Sequence, residues 1–318
     1  MTNNYRFADF HCDTLLNVYL REMDFSKLNE MGHLDLPRLK IANHDLQCFA
    51  VFSDPKFGQE AMLRQTLKLI DVAHQRIFSH PDMILVKSGF DLDKIIENKK
   101  LAGLLAIEGA DFLGDDLFLI DLVHHLGVRL ITLVWNGRNS IADGVKVREN
   151  AGGLTGIGTQ AVKRMQELGI IVDVSHLSEK GFWDVSRVTS RAFVASHSNA
   201  RAVCDHPRNL WDDQIREIAK NKGLIGMNLC RPFVAAQEED QTLATVIRHI
   251  SHIADVAGTE VLCLGCDLDG IREMPTGMAD VRDVVRIADL LGEAGFLPAE
   301  IEAITSKNLL RFVKNNLE

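Results

Sequence analysis

The Ser-His pairs Ser175-His176 and Ser196-His197 mark the 318-residue sequence. Each closes a short apolar run, residues 170–174 and 193–195, of the β-branched, turn-bounded kind that forms strands. Residues 179–188 between them have helix length. The unit is therefore strand–helix–strand, and its two strands are expected to be parallel neighbours. Both imidazoles then leave the sheet at one edge, which is the placement a metal site needs. Similar groups recur along the chain. His11 and Asp13 follow the run 7–10, at the i, i+2 spacing that puts two side chains on one face of a strand. Glu108 ends the run 104–107, and Asp267 ends the run 261–266. Singly, each has an ordinary explanation: a structural His–Asp pair, a solvated or capping glutamate, histidines bonded to backbone, aspartates forming a turn before Gly270. Jointly, three His, two Asp and one Glu form a nitrogen–oxygen donor set without thiolate, suited to zinc or a similar borderline ion. Five ligands plus a spare carboxylate exceed what one tetrahedral catalytic ion uses. Two ions bridged by one carboxylate would use them all.

The elements that must position these groups follow from the hydrophobic pattern. Eight main strand candidates occupy residues 7–10, 46–52, 104–107, 129–134, 170–174, 193–195, 224–229 and 261–266, with a further short apolar run at 84–86. Helical segments are expected at 59–78, 116–126, 159–168, 179–188, 212–221, 241–257, 280–294 and 306–315, with a short piece at 298–304. Residues 137–155, rich in Gly and polar residues, read as a long loop. There is no linker, composition break or short repeat. The expected fold is α/β, a (β/α)8 TIM-type barrel of the metal-dependent hydrolase type, as one domain over residues 1–318. A doubly wound open sheet is the alternative, weakened because no G-x-G-x-x-G follows an early strand. In such a barrel, functional groups lie where strands end and loops begin, and all the donors above do.

Composition narrows the function class. With 35 basic and 44 acidic residues the net charge is −9, which disfavours a nucleic-acid partner. No apolar run approaches the roughly 20 residues that span a bilayer. The N-terminus has neither a basic n-region nor an apolar h-region, so no membrane and no signal peptide are expected, and a cytoplasmic location follows. Six cysteines do not make a disulfide scaffold in a chain of this length. Cys263-x-x-Cys266 lies inside a strand-like run, whereas a redox pair opens a helix and a zinc ribbon needs a second such pair. Core packing is the expectation there. His249 and His252 lie in a predicted helix and are expected at the surface. His124 and His125 sit near a helix end. His33, His44, His74, His80 and His206 receive no role.

The series His11-x-Asp13, Glu108-Gly109, Asp173-x-Ser-His176-x-Ser, Ser196-His197-Ser198 and Gly265-x-Asp-x-Asp-Gly270 resembles the renal (membrane) dipeptidase family, peptidase family M19. These are zinc dipeptidases among the amidohydrolase-type barrels. The likeness runs from near residue 7 to the C-terminal helices, and the interval of 21 between His176 and His197 fits the family pattern. The resemblance implies two Zn2+ per chain. His11 and Asp13 would bind the first, His176 and His197 the second, and Glu108 would bridge both within the catalytic centre. Asp267 matches the acidic residue that meets the substrate and handles the proton. Arg208, in Pro207-Arg208-Asn209, matches the family arginine that meets the substrate carboxylate; without the resemblance it reads as a surface arginine. Asn139 and Asp143 are expected to line the pocket.

One departure matters. Mammalian members carry a substrate-binding His in a Thr-Leu-Thr-His setting, and here the stretch is Thr132-Leu133-Val134-Trp135. Trp135 can pack on substrate or donate one N–H, but cannot take up a proton. No apolar tail of the kind that precedes a lipid anchor follows residue 310. The implied function is zinc-dependent hydrolysis of dipeptides with a free C-terminal carboxylate, by a water shared between two metal ions. The alternatives are another amidohydrolase-type metal hydrolase, acting on N-acyl amino acids, cyclic amides or a deaminase substrate, and a degenerate barrel that only binds. The expected partner is a small-molecule dipeptide, and a homodimer stays open as the assembly.

Overall fold

A computed structural model of the chain describes residues 5–98 and 100–317; the N-terminal reading made above falls partly on residues 1–4, outside the described residues. The strands are β1 (Phe7–Asp9), β2 (His44–Phe52), β3 (Met83–Leu85), β4 (Leu101–Glu108), β5 (Val128–Thr132), β6 (Ile171–Asp173), β7 (Phe193–Val194), β8 (Ile225–Met227) and β9 (Leu262–Leu264). Their pairings are parallel, and the order runs β7, β6, β5, β4, β2, β1, β9, β8. A parallel bridge from Ala195 to Ile225 joins the two ends and nearly closes the barrel. The short run foreseen near residue 84 is β3, an extra strand on the N-terminal half of β4. It stands outside the circuit, so β2 and β4 pair directly, from Leu46↔Ala102 to Phe52↔Glu108. Glu108 is thereby fixed at the C-terminal end of the longest ladder.

The unit that carries His176 and His197 forms for local reasons. Ser178 caps the helix Glu179–Val188 by accepting from Gly181 N, and Phe182 and Val185 bury its inner face. The Phe182 ring meets Phe193 of β7 nearly edge-on at 5.6 Å. Burying a ring of this size stabilises by about 1.5–3 kcal/mol. The crossover makes β6 and β7 parallel neighbours, with Asp173 opposite Val194, so both histidines emerge at one end.

Some helices differ from the pattern reading. Thr14–Leu20, Leu36–Ile41 and Gly89–Glu97 were not foreseen. Six to nine residues give too little 3.6-residue periodicity to register. The first turn of Leu36–Ile41 did carry a signal, since Asp35 accepts from Arg38 N and a proline lies at the start. The helix expected at 280–294 is a 3-10 turn, Val281–Val284, followed by an α-helix, Val285–Glu293. The last helix, Asn308–Asn316, continues a π-type segment, Ala303–Lys307.

One buried cluster joins Ala8, Leu46, Leu104, Leu130, Ile171 and Val194. Side chains from β1, β2, β4, β5, β6 and β7 can meet in one cluster only inside the barrel. Leu309 and Phe312 of the last helix belong to the same cluster, and Phe312 meets Phe10 edge-on at 6.2 Å. The N-terminal mouth of the barrel is thus filled with apolar side chains, leaving the other mouth for chemistry. All six cysteines are free, and Cys263 and Cys266 are buried in different clusters, as core packing requires. His249 corrects an expectation. It is fully buried: Nδ1 accepts from Ala200 N at 3.1 Å and Nε2 donates to Val234 O at 2.9 Å. It braces the loops after β7 and β8, because its face of the helix Leu243–Ala257 turns inward. His252 is the more exposed of the two and pairs with Asp212. Among the described residues, no helix is long and apolar enough to cross a membrane.

Candidate metal centre

Two buried carboxylates shape the strand ends. Asp9 accepts from His11 N at 2.9 Å, from Cys266 N at 3.0 Å and from the Gln47 amide at 3.2 Å. It ties the turn after β1 to the turn after β9. Asp173 does the same for β6 and β7, accepting from Ser175 N at 3.0 Å, Ser196 N at 2.9 Å, and the hydroxyls of Ser196 and Thr132 at 2.6 and 2.7 Å. Each carboxylate thus satisfies the backbone N–H groups that a strand releases where it ends. His176, Asp267 and Asp269 take left-handed backbone with φ of 67°, 61° and 67°. Such conformations are uncommon for residues other than glycine and cluster at functional sites.

The five donors foreseen as ligands converge and are all buried. Glu108 lies between the histidines. Its Oε1 is 2.9 Å from His176 Nε2 and 3.6 Å from His197 Nε2, and its Oε2 is 3.8 Å from His11 Nε2. His11 Nε2 is 3.7 Å from Asp13 Oδ2. Donor atoms of His11, Glu108 and His197 lie within 4.8 Å of one another, as do those of His11, Asp13 and Asp267. Asp267 accepts from the Asn228 amide at 3.0 Å.

Hydrogen bonding tests whether these residues fit metal ions. His176 Nδ1 donates to Asn136 Oδ1 at 3.0 Å. Ser196 Oγ donates to Asp173, so it accepts from His197 Nδ1 at 2.8 Å. Burial holds both imidazoles far below the usual histidine range, assisted by Arg208 and His11, so both are neutral. This network assigns the protons to Nδ1 and leaves lone pairs on both Nε2 atoms. Those atoms face each other at 2.9 Å beside Glu108 Oε1. Three converging lone pairs repel unless a cation accepts them. In addition, both ring nitrogens of His11 and Oδ1 of Asp13 are buried without a hydrogen-bond partner. Each such vacancy costs about 1–3 kcal/mol. The donor set fits metal ions.

The charges point the same way. Burial pushes the Glu108 carboxyl well above the ordinary range, with Asp13 adding to it. Burial likewise raises Asp267 to about 6, partly offset by His11. Burial would lower His11, but Asp13, Glu108 and Asp267 outweigh it and raise the imidazole to about 10. Three acidic groups thus crowd one imidazole, and a bound cation would supply the positive charge they lack.

A cavity of about 600 Å³ opens over the centre, lined by Asp13, Glu108, His176 and Asp267 with Phe52 and Trp135 as an aromatic wall. The two rings meet at 5.1 Å, and Lys146 Nζ lies 5.4 Å from the Trp135 ring centroid. Arg208 is buried, donates from Nη2 to His197 O at 3.2 Å and keeps an unpartnered Nε. It lines a neighbouring cavity of about 650 Å³ that shares His176 with the first. Asn139 and Asp143 line neither cavity. Asn139 accepts from Ile141 N and Ala142 N, while Asp143 pairs with Arg138 and accepts from Gly152 N. They brace their own loop, whose backbone donors have no ladder to join. Pattern reading missed the outer partners Asn136 and Asn228. Asn228 follows β8 directly and Asn136 lies in the loop four residues past β5, so the strand-end rule that found the candidate ligands could have found them too.

The profile described as membrane dipeptidase (peptidase family M19) matches residues 1–317. An uncharacterized dipeptidase of Schizosaccharomyces pombe is 30% identical over 333 aligned positions, covering 98% of this chain and 81% of that protein. A solved dipeptidase described as a metallopeptidase of family M19 superposes with a TM-score of 0.91 at 27% identity, covering 99% of both chains. A metallopeptidase from Rhodobacter sphaeroides, liganded with a phosphinate mimic of the dipeptide L-Ala-D-Ala, gives a TM-score of 0.91 at 25% identity, covering 99% of this chain and 100% of that one.

Proposed function

The chain belongs to the membrane dipeptidase family, peptidase family M19, and is a metal-dependent dipeptidase; from that premise we propose that it holds two zinc ions and cleaves dipeptides with a free C-terminal carboxylate. The observation that carries this reading is Glu108, whose two oxygens face different histidines, His11 on one side and the His176/His197 pair on the other. His11 and Asp13 would hold one ion, His176 and His197 the other, with one Glu108 oxygen toward each. Bound ions of this kind lower the pKa of water from 15.7 to about 7 and polarise a carbonyl.

The chain's own groups do the rest. Asp267, raised to about 6 by burial, can hold a proton near neutral pH. It would take the proton of the attacking water and pass it to the leaving amine. Asn228 orients the carboxylate for this through its amide. Arg208 has an unpartnered Nε suited to a carboxylate and would clamp the C-terminus. Trp135 and Phe52 would pack against the amino-terminal residue and exclude water. The Rhodobacter relative's ligand supports a dipeptide substrate, including one with a D-residue at the C-terminus. Residues 1–318 would act as one domain, and six free thiols accord with a reducing compartment such as the cytoplasm.

A panel of L,L and L,D dipeptides beside N-acyl amino acids, assayed with zinc, tests the reading. Hydrolysis of dipeptides, lost on chelation and restored by zinc, is expected. Turnover confined to N-acyl amino acids would overturn it.

A further inference from the structure

The second cavity has a charge unlike the rest of the chain. Arg148, Lys180, Arg201 and Arg208 line it together with Glu149 and Glu179, four cations to two anions in a protein of net charge −9. Part of that set is engaged. Glu179 accepts from Trp211 Nε1 at 3.2 Å, and Arg201 pairs with the exposed Asp205 at 2.7 Å while lying 4.2 Å from the Trp211 ring centroid. Arg148 and Lys180 stand exposed on the wall, Arg148 on left-handed backbone with φ 56°. Before bound ions are counted, the side chains of the metal cavity carry the opposite sign. Beyond its catalytic carboxylates it is lined by Asp269, Glu238 and Glu273, against Arg231 and Arg272. His176 lines both cavities. Arg208 lies between them, its guanidinium 5.4 Å from the ring centroid of Phe233, which lines the metal cavity.

We propose that the second cavity is the subsite for the substrate's C-terminal residue, and that Arg148 and Lys180 select dipeptides ending in an acidic residue, aspartyl or glutamyl. The inference rests on the dipeptidase reading and on Arg208 as the carboxylate clamp. The C-terminal carboxylate and the C-terminal side chain leave the same Cα. A carboxylate held at the buried Arg208 Nε therefore delivers that side chain into the cavity Arg208 lines. The amino end lies in the metal cavity, where Glu238 and Asp269, outside the groups assigned to the ions, attract an ammonium. The four cations of the second cavity then face the C-terminal end of the bound dipeptide, and a second negative charge there completes the match. Phe182 and Trp183 also line the subsite, so apolar C-terminal residues are the competing class.

The test is steady-state kinetics of the zinc-loaded enzyme on L-Ala-Asp, L-Ala-Glu, L-Ala-Leu and L-Ala-Lys, each with the second residue as L and as D. The acidic substrates should exceed the leucyl one in kcat/KM by about tenfold, and the lysyl one by more. The Arg148→Ala/Lys180→Ala double variant should shrink the acidic-to-leucyl ratio toward one, through KM. Raising salt from about 0.05 to about 0.5 M should shrink it in the unaltered enzyme. An equal or higher kcat/KM for the leucyl substrate, or a ratio unchanged in the double variant, overturns the subsite and leaves the dipeptidase reading standing. Absence of hydrolysis across the whole panel overturns the dipeptidase reading itself.

Discussion

The two halves of the metal centre share one backbone device and are finished in different ways. Asp9 ties β1 to β9 as Asp173 ties β6 to β7, each through the N–H two residues on and an N–H of the neighbouring strand's turn. On the β6/β7 side both imidazoles are neutral, and their outer nitrogens are held by Asn136 and Ser196. On the β1/β9 side His11 has no hydrogen-bond partner at either nitrogen and is surrounded by Asp13, Glu108 and Asp267. One half offers oriented nitrogens, and the other offers negative charge. Outer hydrogen bonds fix a ligand's tautomer and direction, while carboxylates supply Coulomb attraction. A cation would be held by a different balance of these terms on each side, and mutations should separate them.

The largest effect is expected where the halves meet. Glu108→Gln removes the shared charge, and metal affinity should fall by more than the ~100-fold that loss of an outer partner reaches. Metal analysis after dialysis measures this, and full retention of metal would break the comparison. Asp267→Asn should come next, lowering kcat by about 10²–10⁴ while metal content stays at the level of the unaltered protein. Loss of metal in that variant would instead make Asp267 a ligand of the β1/β9 side, which its proximity to His11 and Asp13 allows. Asn136→Ala should weaken binding on the β6/β7 side alone, by about 10–100-fold. A zinc titration should then split into a tight step and a weakened step, and a uniform loss would contradict the separate roles.

The smallest effect on the centre itself is expected from a residue outside it. His44 is buried with neither ring nitrogen partnered, and burial, with Arg6 adding to it, lowers it to about 3. The unfolded chain takes up this proton near pH 6.5, while the folded chain stays neutral to about pH 3. Stability from this residue is therefore present above pH 6.5 and is lost as pH falls toward 3, at up to about 1.4 kcal/mol per pH unit. In His44→Leu the decline of Tm between pH 7 and 4 should be shallower. An unchanged slope would remove His44 from acid unfolding, without touching the metal centre.

Much of this was legible because a barrel reports its site at strand ends. His11, Glu108, His176, His197 and Asp267 were found as polar groups closing apolar runs, and that signal is local in sequence. The helix Glu179–Val188 was legible from its length between two strand-like runs, and its Ser178 cap and apolar face accord with that. What escaped was of another kind. The brace made by His249 depends on which helix face turns inward, and a strongly periodic helix with histidines three apart does not announce that. Asn139 and Asp143 sit in a polar loop, where composition cannot distinguish a residue facing the cavity from one satisfying its own backbone. Asp9 acts across β1 and β9, which pair only when the barrel closes, and Asp173 acts inside the local β6/β7 unit, where the hydrophobic pattern does not mark a strand carboxylate as a brace. The charge of the second cavity also needs the closed fold, because Arg148, Lys180 and Arg208 come from the loop after β5, the helix Glu179–Val188 and the loop after β7.

The most direct test of the central claim is a zinc titration of chelator-stripped protein with hydrolysis of L-Ala-D-Ala followed at each addition. The two-ion account predicts no turnover in the stripped protein and full activity at two equivalents per chain. Undiminished turnover in the stripped protein, or saturation of both binding and activity at a single equivalent, would contradict it.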